Sequence, residues 1–335
     1  MTRFPILACA AAALLAGCDN DVDLLSGEAP LPVVYGVFNA TDSVQLISVT
    51  KTFAFAEGGG ARESAQTPDS VYYDAEEVTV TVANARTGQS LPAERLPAAE
   101  LGVERESGDF AVAPNFVYRY SSVGLDLQPG DAVEVAVERA GELIGTARAD
   151  VLPELTFIQA RRPPERVGFT SELDYSLSWR RGEAAANELA VYELGFVFAY
   201  LETDAAGATV AREVYWPAAT GLSAEVNAAG VPINGFFDFL AANLPADPDL
   251  TRRFRYVQVV ITGGDEDFVA YAELLRANAG ITATQQLPPF TNVDGGLGLY
   301  AGITQLRQDT FGTLTPASFD ELFDGERLQP LNFVP

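Results

Sequence analysis

The chain has 335 residues, of which 46 are acidic and 21 basic, and it contains no histidine. A net charge of −25 repels phosphate backbones and argues against nucleic acid as a partner. Without an imidazole, Ser-His-Asp and Cys-His catalysis and every histidine-ligated metal site are excluded.

At the N-terminus, Arg3 precedes an apolar stretch from Ile6 to Leu15, which reads as an export signal too short to anchor by spanning a membrane. It ends in Leu15-Ala16-Gly17-Cys18, which resembles the bacterial lipoprotein box. The resemblance implies removal of residues 1–17, acylation of Cys18 and attachment to the outer membrane through the lipid. Cys9, the other cysteine, lies in the signal. The mature chain therefore has no thiol for a disulfide, a metal site or a nucleophile. Any catalysis would rest on carboxylates, Tyr, Ser or Arg.

In residues 18–28, Cys18 is followed by Asp19, Asn20, Asp21, Val22 and Asp23, the composition of a polar tether. The run also resembles the acidic export signal of surface lipoproteins in Bacteroidetes-type bacteria, which implies the cell surface rather than the periplasmic face. Lys51 is the only lysine. Low lysine and excess carboxylate resemble proteins of salt-adapted bacteria, and simple solubility explains them equally.

From Leu31 onward, period-two patterns recur. Ile47, Val49 and Phe53 share a face. Val78, Val80 and Val82 alternate with threonines, Phe116, Tyr118 and Tyr120 with Val117 and Arg119, and Val133, Val135 and Val137 with Glu134 and Ala136. Pro153 and Arg161-Arg162-Pro163-Pro164 mark a boundary. Beyond it, Tyr175, Leu177 and Trp179 alternate with serines, Leu189–Leu201 is a long apolar run, and Val257, Val259 and Ile261 form a face that Phe268–Leu275 continues. Alternation of this kind predicts a mainly β protein of two antiparallel β-sandwich domains, 29–152 and 153–335, of immunoglobulin or fibronectin III-like type. The order of Trp179, a Tyr-rich strand and Tyr256–Thr262 resembles a fibronectin type III-like module over 153–278. Helical spacing of Phe236, Phe237, Leu240 and Leu244 predicts a helix capped by Asn234. Thr315-Pro316 predicts another over 316–323.

Gly296-Leu297-Gly298-Leu299-Tyr300-Ala301 formally matches a dinucleotide fingerprint, but its place near the end of a β-rich chain favours a glycine-rich strand or bulge. Gly58-Gly59-Gly60 lacks the residues of a phosphate loop and reads as a hairpin tip. Asp265, Glu266 and Asp267 behind Gly263-Gly264 are either a solvated turn or oxygen ligands for Ca²⁺; no other cofactor is expected apart from the lipid. Asp247-Pro248-Asp249 has the same two readings. Tyr72, Tyr73, Trp216 and Tyr300 lie near predicted turns or strand ends. They are candidate ligand contacts if exposed and core residues if not. Asp42-Ser43-Val44 and Asp69-Ser70-Val71 resemble the O-glycosylation motif of exported Bacteroidetes-type proteins, which makes Ser43 and Ser70 candidate sites.

Three stretches together carry a family resemblance: Pro32–Phe53 (PVVYGVFNATDSVQLISVTKTF), Pro68–Asp74 (PDSVYYD) and Phe290–Ala301 (FTNVDGGLGLYA). They resemble uncharacterised envelope lipoproteins of Bacteroidetes-type bacteria. The family has no activity to transfer, so the resemblance implies an envelope location and a β-rich fold only. The expected function is noncatalytic binding or structural, with sandwich loops presented to an envelope protein or glycan. Its rival is a carboxylate-based glycan hydrolase, which needs two acids facing across a cleft.

Overall fold

The computed structural model describes residues 29–53, 61–103, 105, 108, 110–158, 166–171, 174–182, 189–270, 272, 290–308 and 311–335. Cys18, the signal, the tether and Gly58–Gly60 lie outside the described residues.

The first half runs β1 (Pro32–Asn39), β2 (Val44–Lys51), short helices α1 (Ala61–Ala65) and α2 (Pro68–Val71), β3 (Val78–Asn84), β4 (Ser90–Pro92), β5 (Glu94–Pro97), β6 (Phe116–Ser121), β7 (Ala132–Arg139) and β8 (Glu142–Asp150). Next come β9 (Leu155–Phe157), β10 (Arg166–Val167), β11 (Tyr175–Arg181), β12 (Val191–Thr203), β13 (Thr209–Ser223), β14 (Ala228–Val231) and α3 (Phe236–Asn243). The chain ends with β15 (Thr251–Gly264), β16 (Val293–Asp294), β17 (Leu297–Arg307), β18 (Thr313–Leu314), α4 (Pro316–Asp324) and β19 (Phe333–Val334).

The protein is mainly β, and one large sheet organises it. Its order is β13-β12-β15-β17-β1-β2-β6-β5, with β19 alongside β15. The sheet is mixed rather than purely antiparallel. β1 pairs in parallel with β17, from Val33 opposite Leu297 to Asn39 opposite Ile303, and β15 pairs in parallel with β19. Alternation predicts which face of a strand is buried but not the direction of its partner, and chain this long between β1 and β17 permits either direction.

Two further sheets cover one face of the large one. The five-stranded sheet β16-β8-β7-β3-β4 shares a core with its β1, β2, β6 and β17 strands. There Val34, Phe38, Ile47, Tyr118 and Tyr300 meet Val80, Val82, Val135 and Val137. The three stretches that carry the family resemblance converge here, through Val34, Tyr73, Val293 and Tyr300. A second core gathers Trp179, Tyr192, Phe196, Phe198, Val259 and Ile261 under the sheet β14-β11-β9 and the helices α3 and α4. Thus the two cores separate near residue 152, except that Val293 and Tyr300 return to the first, while one sheet passes through both.

The predicted helices form with small shifts. The N-cap of α3 is Gly235, so Asn234, the expected cap, lies one residue ahead of the observed one. Thr315 caps α4 with Pro316 in the first turn. The expected continuation over Phe268–Leu275 lies outside the described residues at 271 and 273–275, and where it is described, at 268–270 and 272, it is helical and does not extend β15. A short apolar run carries no period of its own, and Asp265 decides the outcome by capping a helix there.

Candidate functional site

The four aromatic candidates for ligand contact are all buried. Tyr72 packs edge-on against Phe116, with ring centroids 5.3 Å apart, and its hydroxyl donates to Asn115 Oδ1 at 3.2 Å. The Tyr73 hydroxyl donates to the Pro30 carbonyl at 3.3 Å. Its pKa is pushed up to about 12, chiefly by burial, with Arg139 acting to lower it. Tyr300 shares a hydrogen bond of 2.7 Å with Tyr120 inside the first core. Trp216 stands opposite Phe196 in the β12–β13 register and packs on Phe169 and Phe236 in the second core. Strand register turns Trp216 and Tyr300 inward, and the segment after α2 packs Tyr72 and Tyr73 inward, so none offers a free face to a ligand. The glycine-rich stretch near the end is strand β17, where Gly298 lies against the β1 backbone.

Asp265, Glu266 and Asp267 do not form a turn open to a cation. Asp265 is buried, and its carboxylate accepts the backbone N–H groups of Phe268 and Gly302. It therefore caps the helical turn and ties it to β17. Asp267 accepts from Asn292 Nδ2 at 2.8 Å, and Glu266 is exposed. No cluster of three metal-ligating side chains exists among the described residues. Asp247 Oδ1 accepts the backbone N–H of Asp249 at 2.9 Å, as a turn aspartate does. Ser43 is exposed in the β1–β2 turn, and Ser70 is half-buried in α2.

Burial raises the Asp265 pKa to about 6, opposed by its two backbone hydrogen bonds and reinforced by Asp267 and Asp150. A folded carboxyl with a raised pKa holds its proton longer than in the unfolded chain. Its stabilising contribution is complete below about pH 4 and is lost as pH rises through 6. Repulsion among the excess acids acts in the same direction, so a variant must separate the two. Between pH 7 and pH 5 the parent should gain about 1 kcal/mol relative to Asp265→Asn. Parallel urea titrations at the two pH values measure that difference; equal gains would show that Asp265 titrates as an ordinary surface acid.

The outer face of the large sheet holds the feature that sequence reading passed over. β1 is apolar on both sides: Val34 and Phe38 face the core, while Tyr35 is 47% and Val37 41% exposed. Across β1 and β2 runs a groove of about 840 Å³. Val33, Tyr35, Ser48 and Thr50 form its floor, Phe53, Ala65, Val71 and Phe110 its apolar sides, and Lys51, Arg62 and Arg105 supply charge. The helices α1 and α2 stand on one side. The other side is tied to them, because the Ala111 N–H donates to the Ala65 carbonyl and Arg105 Nη1 donates to the Ala111 carbonyl. The Lys51 ammonium sits 5.7 Å from the Tyr73 ring centre. Among the described residues lining the groove there are three cations and no carboxylate, in a chain where acids outnumber bases by more than two to one.

The comparisons bear on identity at this point. No protein-family model matches this chain. No curated protein matches it. The functional reading therefore rests on the groove and on the sequence motifs. The signal that could have found the groove is the segment Val33-Val34-Tyr35-Gly36-Val37-Phe38, where both alternating faces are apolar.

Proposed function

We propose that this chain is a lipid-anchored envelope protein with a noncatalytic binding role, and that it binds at the groove on the outer face of β1 and β2. The observation that carries the reading is a walled, mainly apolar groove bearing Lys51, Arg62 and Arg105 on a strongly acidic chain. Cys18 would be acylated at the outer membrane, with the β domains facing the cell exterior. The lipobox supports this, and no helix among the described residues is long and apolar enough to cross a membrane. Of the expected partners, a glycan needs polar groups around an aromatic platform. The apolar lining favours a ligand with an apolar body. The second half, read as a fibronectin type III-like sandwich, is supported by fully buried Trp179 beside Tyr192, with ring centroids 5.0 Å apart.

The rival hydrolase requires a carboxylic acid with a raised pKa facing a second acid across a cleft. Asp265 has the raised pKa but spends its carboxylate on two backbone N–H groups and is buried. It is placed to hold structure rather than to meet substrate.

Two measurements test the proposal. Cys18→Ser should move the protein from the membrane fraction to the soluble fraction; retention on membranes would overturn the anchor. Affinity purification from native membranes, with a glycan array run in parallel, should give a ligand that Ser48→Trp excludes by filling the groove floor. A ligand retained in full by Ser48→Trp would move the site elsewhere.

A further inference from the structure

The geometry points to an acyl-chain carboxylate as the ligand of the groove: one apolar tail along the β1–β2 floor and one anionic head at Arg62 and Arg105. The inference rests on the groove being the binding site and names its ligand class. A cavity of about 840 Å³ falls in the range of about 300–1,000 Å³ typical of small-molecule sites, which are mostly apolar with a few placed polar groups. Val33, Phe53, Val71 and Phe110 give the tail its surroundings. The hydroxyls of Ser48, Thr50 and Thr52 also line the groove, but apolar surface outweighs them and suits a tail better than a sugar.

Charge then selects the head group. Arg105 lies 5.7 Å from the Phe110 ring centre and donates to the Ala111 carbonyl, so its guanidinium is held beside the apolar wall. Arg62 is exposed on α1, whose Ala65 lines the same groove. Guanidinium groups bind carboxylates through paired N–H donors. A carboxylate with a hydrocarbon tail satisfies both parts of the lining. A neutral amphiphile satisfies only the apolar part, and a free anion only the charged part.

The test uses the full chain carrying Cys18→Ser, which removes the acylation site and leaves every described residue unchanged. A dansyl-labelled undecanoate is titrated below its micelle-forming concentration and followed by fluorescence, then competed with palmitate, hexadecanol and acetate. Palmitate should displace the probe, with hexadecanol at least about tenfold weaker and acetate inert. Arg62→Gln should weaken binding by about tenfold with an unchanged melting temperature; Arg105→Gln, which also gives up its bond to the Ala111 carbonyl, should weaken it at least as much, and Ser48→Trp should abolish it. Equal displacement by hexadecanol would overturn the role of charge. Absence of binding would overturn the ligand class, and binding that survives Ser48→Trp would overturn the groove as the place where the acyl chain sits. The two readings fail separately: a glycan or protein partner that Ser48→Trp excludes, with no palmitate binding, refutes the acyl ligand and leaves the groove as the site.

Discussion

Arg252→Ala should destabilise the fold by about 3–5 kcal/mol, the cost of breaking a buried ion pair by removing one partner. Arg252 on β15 is fully buried. Its Nε donates to Glu202 Oε2 at 3.0 Å, Nη1 to the Leu331 carbonyl at 2.8 Å and Nη2 to the Pro245 carbonyl at 3.0 Å. One guanidinium thus joins β12, the segment after α3 and the C-terminal segment before β19. Alanine would leave a carboxylate and two carbonyls short of donors at once. Lysine has a compact head and cannot spread its donors over the same three directions, so Arg252→Lys should recover only part of the loss. Pairing Arg252→Met with Glu202→Gln should be milder than Arg252→Met alone, because Glu202 would otherwise keep only the exposed Arg212, 3.7 Å away, as its cation. Urea denaturation measures all four. A loss below about 1 kcal/mol for Arg252→Ala would show that water replaces the guanidinium, a result typical of surface ion pairs.

Gly298→Ala should cost about 3 kcal/mol or more, from backbone strain together with a steric clash. Gly298 has φ +116° and stands opposite Val34 in the parallel β1–β17 pair. An added Cβ would collide with the Val34 carbonyl oxygen. Few side chains tolerate that backbone conformation. Relief would require β1 and β17 to separate over the first core. Gly88→Ala is the control: φ is +72° with nothing within 4 Å of an added Cβ, so only the conformational penalty of about 1–2 kcal/mol applies. If the two variants lose equal stability, the close approach of β1 and β17 contributes nothing and positive φ explains both.

The strands were legible where alternation was clean. Val78–Val82, Val133–Val137 and Tyr175–Trp179 fall within β3, β7 and β11, with their apolar faces in the two cores. The turn at Thr315-Pro316 was legible for the same reason: the local chemistry of a cap needs no distant partner. What sequence left open is pairing. Nothing in Leu297–Arg307 states that it joins β1 in parallel, because a buried face can be satisfied by a neighbour of either direction. The site was misjudged for a related reason. Tyr72, Tyr73, Trp216 and Tyr300 sit near turns or strand ends, which suggested exposure. Burial depends on what packs over each residue: Trp216 and Tyr300 lie on the inner faces of β13 and β17, and Tyr72 and Tyr73, just after α2, pack under Phe116 and into the first core. Tyr35 lies on a strand that is apolar on both faces, so alternation does not mark its outer side.

The most direct test of the groove as the binding site is photo-crosslinking on intact cells with a benzophenone amino acid in place of Tyr35. The same replacement at Leu143, 56% exposed on β8, serves as control. Mass spectrometry of the recovered protein should find a ligand adduct at position 35 and none at 143, with the adduct lost when Ser48→Trp is present. Adducts of equal yield at both positions, or one at 143 alone, would contradict a binding role for the outer face of β1 and β2.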